Sequence, residues 1–185
     1  TIFSLLFLIN AFNYFDGMDG TLSFSTISVF AILYFLVSNE EFQSFIIIII
    51  IPIIIFIFFN FSFVKLPKMF LGDSGSLLLG FVVSFILIYL AFQNLVHPIL
   101  LAWTITIFVY EFMSINFIRL NRNQGLFKAG KDHLHHLLFK LTKSVLLTNL
   151  FIISINIVFF IIGYLTYSIL NPFFSLTTFI FLFLF

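Results

Sequence analysis

The chain has no cysteine, one tryptophan, four prolines and, over 185 residues, only eight basic and seven acidic side chains. Absence of cysteine excludes a disulfide framework, a thiolate nucleophile and a Cys-type zinc site. A charged fraction of 8% excludes an ordinary soluble domain, in which about a quarter of residues are charged. The net charge of +1 leaves no basic patch of the kind that announces a nucleic-acid partner, so none is expected. Disorder is excluded as well, because the chain is 62% hydrophobic and 21% aromatic, with 32 phenylalanines and a mean hydropathy of +1.25. What remains is an integral membrane protein.

Apolar runs of spanning length lie at about Thr21–Ser38, Phe42–Phe61, Gly75–Asn94, Pro98–Ile118 and Val145–Leu170. Backbone in lipid must satisfy its own hydrogen bonds, so these runs are expected to be helices despite their Ile and Phe content. Pro52 is expected to kink the second. The apolar runs at Thr1–Asn10 and Phe173–Phe185 are short of the ~20 residues a crossing needs. Together these runs predict an all-α, polytopic transmembrane helix bundle of five full spans with a partial span at each end. The chain is expected to be one integral-membrane domain over residues 1–185, an internal fragment truncated at both ends.

Alternating sides puts Asn10–Gly20, Ser62–Ser74 and Arg119–Ser144 on one face of the membrane. All eight basic residues, Lys65, Lys68, Arg119, Arg122, Lys128, Lys131, Lys140 and Lys143, fall in those loops. The positive-inside rule makes that face cytoplasmic. Residues 119–144 form its one long loop.

Three polar constellations fall on the same face. In the first, Asn10, Asn13, Asp16 and Asp19 recur every third residue, with Gly17 and Gly20 after the acids. The spacing gathers the side chains on one side of a helix, and the glycines permit a tight turn or a close approach by a ligand. A helix end followed by an Asp-Gly turn explains Asp16–Gly20 but not the two asparagines. The second, Pro67-Lys-Met-Phe-Leu-Gly-Asp73-Ser-Gly-Ser76, precedes a span. Ser74 or Ser76 is expected to cap that helix, whose free N–H groups suit an anion. A carboxylate beside a phosphate needs a cation between them, so Asp73 points to Mg²⁺. The third is Lys131-Asp-His133-Leu-His135-His136. Its imidazoles suit acid/base work, phosphate binding or metal ligation, although adjacent His135 and His136 fit a tetrahedral zinc site poorly. Surface capping and solvated histidines are the plain alternatives. Glu111 lies inside an apolar run, where an acid costs about 2.5 kcal/mol or more unless it faces a polar interior. It is either functional or a packing partner of Asn116 or a neighbouring helix. His97, before Pro98, reads as interfacial.

Carboxylates, amides, histidines and basic residues at one membrane surface suit a phosphorylated, nucleotide-bearing substrate and a divalent cation. The ordered motifs Asn10-x-x-Asn13-x-x-Asp16-Gly-x-Asp19-Gly20, Phe70-Leu-Gly-Asp73-Ser-Gly-Ser76 and Asp132-His-Leu-His-His136 resemble the polyprenyl-phosphate N-acetylhexosamine-1-phosphate transferase superfamily, glycosyltransferase family 4. The His-x-His-His pattern is similar to its bacterial undecaprenyl-phosphate N-acetylglucosaminyl-1-phosphate transferase branch. The resemblance implies transfer of a sugar-1-phosphate from a UDP-N-acetylhexosamine to a polyprenyl phosphate, with release of UMP and Mg²⁺ as cofactor, at the start of cell-envelope polysaccharide synthesis. It also implies a cell (inner, cytoplasmic) membrane as the location. By position it implies metal ligation by Asn13 and Asp73, and catalytic roles in one polar cavity for Asp16 and Asp19. It further implies that His133, His135 and His136 engage the substrate diphosphate, and that Asn10, Phe70 and Lys131 bind substrate. The implied partners are the sugar nucleotide, the polyprenyl phosphate and the membrane, with a homodimer as an open assembly.

One departure stands out. The family carries two adjacent aspartates on an earlier loop, and no Asp-Asp occurs in this sequence; activity is therefore expected of a complete protein rather than of these residues alone. A transporter with Glu111 and the histidines on an ion path is the competing reading, and it requires polar residues through the spans, of which the sequence shows almost none beyond Glu111. A non-catalytic membrane remnant is the third.

Overall fold

The computed structural model describes residues 2–62, 67–123 and 133–184, and the described residues form helices without strands. In chain order these are α1 (Ile2–Phe15), α2 (Thr21–Leu36), α3 (Glu40–Asn60), α4 (Gly72–Phe92), α5 (Pro98–Thr104), α6 (Thr106–Asn121), α7 (Leu134–Thr142), α8 (Val145–Ile169) and α9 (Pro172–Leu184). The all-α, multi-helix membrane architecture read from hydropathy is therefore the observed one. Helices α3, α4 and α8 are long and apolar enough to cross a bilayer. Their many exposed Ile, Leu and Phe side chains form the apolar exterior that lipid requires.

The number of unbroken spans is smaller than expected. The run read as Pro98–Ile118 divides into α5 and α6, bent by 75° at Ile105. Thr104, Ile105, Thr106 and Ile107 are all β-branched, and the two threonine hydroxyls donate back to the carbonyls of Leu101 and Trp103, at 2.7 and 2.8 Å. Such back-bonding bends helices. The break frees polar backbone inside the bundle, and Asn156 of α8 satisfies it. Its Nδ2 donates to Thr104 O at 3.1 Å and to Ser28 Oγ at 3.2 Å, while its Oδ1 accepts from Ile107 N at 3.4 Å. Helix α2 has only sixteen residues, short of the ~20 of a full crossing. It lies against α3 and α8 with Ser23, Ser25, Thr26 and Ser28 buried. Pro52 is carried within an uninterrupted α3.

The caps also differ from expectation at one helix. Asn39 and Ser144 accept from the N–H groups of Phe42 and Leu147 at the starts of α3 and α8, and His97 Nδ1 accepts from Ile99 at the start of α5. Helix α4, however, begins at Gly72 with no side-chain cap. Ser74 and Ser76 sit within its first turns, and Ser76 is turned toward α1 instead.

Helices α1 and α4 form the most extensive helix pair in the bundle, and its closeness has a definite cause. A Cβ placed on Gly80 would lie 2.9 Å from Ile9 Cα and 3.0 Å from Phe12 Cβ. Only glycine allows the two backbones to meet there, as small residues do at membrane helix interfaces. A Gly80→Val variant is expected to destabilise the bundle by about 1–3 kcal/mol, the usual cost of overpacking. Thermal denaturation in detergent reads this as a lowered midpoint, and an unchanged midpoint would mean the helices do not pack this tightly.

Candidate active site

The turn between α1 and α2 is the centre of the site. Helix α1 stops at Phe15, so Asn10 and Asn13 are on the helix whereas Asp16 and Asp19 lie beyond it, and the four do not share one helical face as the spacing suggested. Gly20 turns the chain into α2 with a left-handed φ of 72°, a conformation costly for other residues. The turn is held from α8: Asn149 Nδ2 donates to the Asp19 carbonyl at 2.9 Å, and its Oδ1 accepts from Thr21 Oγ1 at 2.9 Å.

Asp16, Asp19 and Asp73 line a cavity of about 350 Å³ together with Gly17, Ser23, Asn60, Phe70 and Gly72. Burial and the facing Asp73 carboxylate push Asp16 up to about 6. The neighbouring Asn13 donates through Nδ2 to Ser76 Oγ at 3.0 Å and, at a longer 3.5 Å, to Asp73 Oδ1. Asp19 is paired with Lys68, Nζ to Oδ2 2.6 Å. The same ammonium stands 5.1 Å from the centre of the Phe70 ring, which is 72% exposed at the rim. Asn10 stands apart: it is exposed, and its Nδ2 donates to Leu6 O within its own helix at 2.7 Å. Lys131 and Asp132 lie outside the described residues.

The histidines do not line this cavity but stand directly behind it. His135 is fully buried, and a Cβ on Gly17 would fall 2.3 Å from its Nε2. Gly17 thus serves a close approach, as its place after Asp16 suggested, with an imidazole as the approaching group. Burial, then His136 and His133, push His135 down to about 3, so its ring is neutral. His133 and His136 have ring centres 5.2 and 4.3 Å from that of His135.

Glu111 is resolved from an isolated intramembrane acid into a partner of this segment. Its Oε1 accepts from Leu134 N at 2.8 Å and lies 3.2 Å from His133 Nδ1. Asn116, its expected partner, donates instead to Phe112 O. The Glu111, His133 and His135 donor atoms all lie within 4.8 Å of one another, a set that could hold a metal ion.

Three contributors escaped the sequence reading. Asn60 is buried, lines the cavity and donates to Met69 O at 2.8 Å. Asn149 holds the Asp19 turn, and buried Arg119 reaches Tyr14 Oη at 3.5 Å with its guanidinium 5.4 Å from that ring. Each was visible as a polar side chain inside or at the end of an apolar run, the costly placement that singled out Glu111. Asn149 and Asn156 also correct the expectation that the spans hold almost no polar groups. Both are tied to turns and backbone breaks, so they give no support to an ion path.

Residues 1–91 match the family model for glycosyl transferase family 4. Among curated proteins, the chain is 32% identical over 147 residues to the undecaprenyl-phosphate alpha-N-acetylglucosaminyl 1-phosphate transferase of Escherichia coli K12, and 28% identical over 146 residues to that of Yersinia pestis. Each match covers 76% of this chain and 40% of the relative. The enzyme of the same name from Pasteurella multocida is 34% identical over 76 residues, 40% of this chain and 21% of its own length. The chain thus spans about 40% of the length of the first two relatives. No solved structure matches.

The contact between Gly17 and His135 is open to direct test. Gly17→Ala is expected to push the imidazole out of its buried place and raise the rate of His135 carbethoxylation by diethyl pyrocarbonate severalfold, followed by peptide mass spectrometry. Equal, slow modification in both proteins would mean that the two segments are not in contact.

Proposed function

We propose that the chain belongs to glycosyl transferase family 4, whose model matches residues 1–91, and that it supplies the catalytic cavity of a sugar-1-phosphate transferase acting between a UDP-N-acetylhexosamine and a polyprenyl phosphate at the cytoplasmic face of a cell membrane. The observation that carries this reading is the joining of Asp16, Asp19, Asp73 and Phe70 around one cavity, with Asn13 against Asp73 and the histidines at its back. In the proposed reaction an oxygen of the lipid phosphate attacks the β-phosphorus of the sugar nucleotide. The bond from that phosphorus to the bridging oxygen breaks, and UMP leaves with that oxygen.

The donor chemistry fits Mg²⁺. Asp73 and Asp16 line the cavity, and with the neighbouring Asn13 side chain they would offer the oxygen ligands this ion takes. Burial, and after it the Asp73 carboxylate, push Asp16 upward, a strain on charged carboxylates that a cation here would relieve. Bound there, Mg²⁺ would neutralise charge on the diphosphate and the entering phosphate. The remaining work falls to the protein. Phe70 offers an exposed ring at the rim for the nucleobase, and Lys68 places a positive charge beside it while fixing Asp19. Gly17 lets His135 stand immediately behind the Asp16 turn, with His133 and His136 in the same cluster. His136, with Lys131, is proposed to meet the diphosphate, while buried His135 backs the turn. The concentration of all basic residues in the loops of this end supports a cytoplasmic orientation.

Activity is expected of the whole protein. With UDP-N-acetylglucosamine, undecaprenyl phosphate and Mg²⁺, it should release UMP and form a lipid-linked diphosphate sugar. EDTA should abolish release, and Asp73→Asn should lower kcat by more than about 100-fold, beyond the 10–100-fold cost of losing a mere supporting contact. Full activity in Asp73→Asn, or in EDTA, would overturn the metal role. Release of UMP from the sugar nucleotide without a lipid product would overturn the acceptor.

A further inference from the structure

From the donors behind the cavity we infer a second metal site, distinct in chemistry from the oxygen set at Asp73: Glu111, His133 and His135 form a three-ligand site for Zn²⁺. Two imidazoles and one carboxylate suit a borderline ion such as zinc, whereas Mg²⁺ takes oxygen ligands. Three protein ligands with a fourth position for water or another group is a recurrent zinc arrangement.

Independent features of the structure point to a bound cation. His135 has no exposure, and neither of its ring nitrogens has a hydrogen-bond partner among the described residues. An imidazole buried with both nitrogens idle is costly, because each desolvated polar atom goes uncompensated. His133 Nδ1 is likewise buried without a hydrogen bond among the described residues, since its 3.2 Å approach to Glu111 lacks the alignment of one. The Glu111 carboxylate, 9% exposed, receives a backbone N–H from Leu134 and faces these imidazoles. One cation between the three groups would take His133 Nδ1 and one of the two idle His135 nitrogens as ligands and balance the Glu111 charge.

The geometry is close to what the ion needs. Ligand atoms each about 2 Å from a tetrahedral zinc stand about 3.3 Å apart. Glu111 and His133 already stand at 3.2 Å, and all three donors lie within 4.8 Å of one another, so side-chain rotations that shorten the separations by at most about 1.5 Å close the set. Occupied, the site ties α6 to the first turn of α7 and locks His135 against Gly17. His136 is not a ligand and remains with the anionic substrate.

The test needs no sugar nucleotide, so its failure and that of the transferase reading are separable. The whole protein in detergent is stripped with chelator, given ZnCl₂ in the presence of millimolar Mg²⁺, passed through gel filtration and assayed for bound metal. One zinc per chain should remain, with a zinc K-edge absorption spectrum showing two imidazoles and no sulfur. Glu111→Gln should weaken zinc binding at least tenfold, and Asp73→Asn should leave it unchanged. If Glu111→Gln elutes as aggregate, the spectrum of the unaltered protein decides. Failure to retain zinc, absence of imidazole scattering, equal affinity in a folded Glu111→Gln protein, or loss of zinc in Asp73→Asn would each overturn the site.

Discussion

The close passage of α1 against α4 is the constraint on which the candidate site depends. With Gly80 set on Ile9 and Phe12, the polar end of α1 is brought beside the first turns of α4, where Asn13 meets Ser76 and Asp73. Two motifs some sixty residues apart become one cavity wall because a single position carries no side chain. Stacking of Phe12 on Phe108, with ring centres 4.0 Å apart, then connects α1 to α6. Glu111 follows Phe108 by one helical turn on α6 and holds the histidine segment. Positioning thus passes from an apolar contact in the bundle to polar groups at its end.

A bilayer offers no water to satisfy stray backbone polar groups, and that demand explains the polar residues that do not belong to the cavity. Asn156 serves the break between α5 and α6, and Asn149 serves the α1–α2 turn. Trp103 Nε1 donates to Ser175 Oγ, which donates in turn to Gly163 O, fastening α5, α8 and α9 together. These groups rigidify the bundle. The histidine segment differs from them, because among the described residues His133 Nδ1 and both ring nitrogens of His135 are buried without a hydrogen-bond partner.

The membrane class, the helical architecture and the segments that meet at one end were legible because hydropathy and the placement of lysines and arginines act over whole runs of residues. Asp16, Asp19 and Asp73 were legible because polar motifs at the edges of apolar runs are costly without a purpose, whereas Phe70 was singled out only through the family resemblance. The break at Ile105 was not, since Thr104–Ile107 reads as apolar as its surroundings, and only hydroxyl back-bonding and the waiting Asn156 make a bend tolerable. Span length likewise hid the shortness of α2. Nor could Glu111 be placed, because its partners, Leu134 and His133, lie more than twenty residues away and their meeting depends on tertiary packing. The cap expected from Ser74 or Ser76 failed because the helix begins at Gly72, before either serine, and the Ser76 hydroxyl donates to Asp73 O and accepts from Asn13.

The union of α1 and α4 at the cavity can be measured directly, aided by the absence of cysteine from these 185 residues. In a version of the whole protein free of other cysteines, Asn13→Cys with Ser76→Cys should be bridged rapidly by a short bifunctional thiol reagent within one chain. Asn13→Cys with Tyr164→Cys, on the exposed face of α8, should not. Failure of the first pair to bridge, or equal bridging of both, would contradict the arrangement on which the site is built.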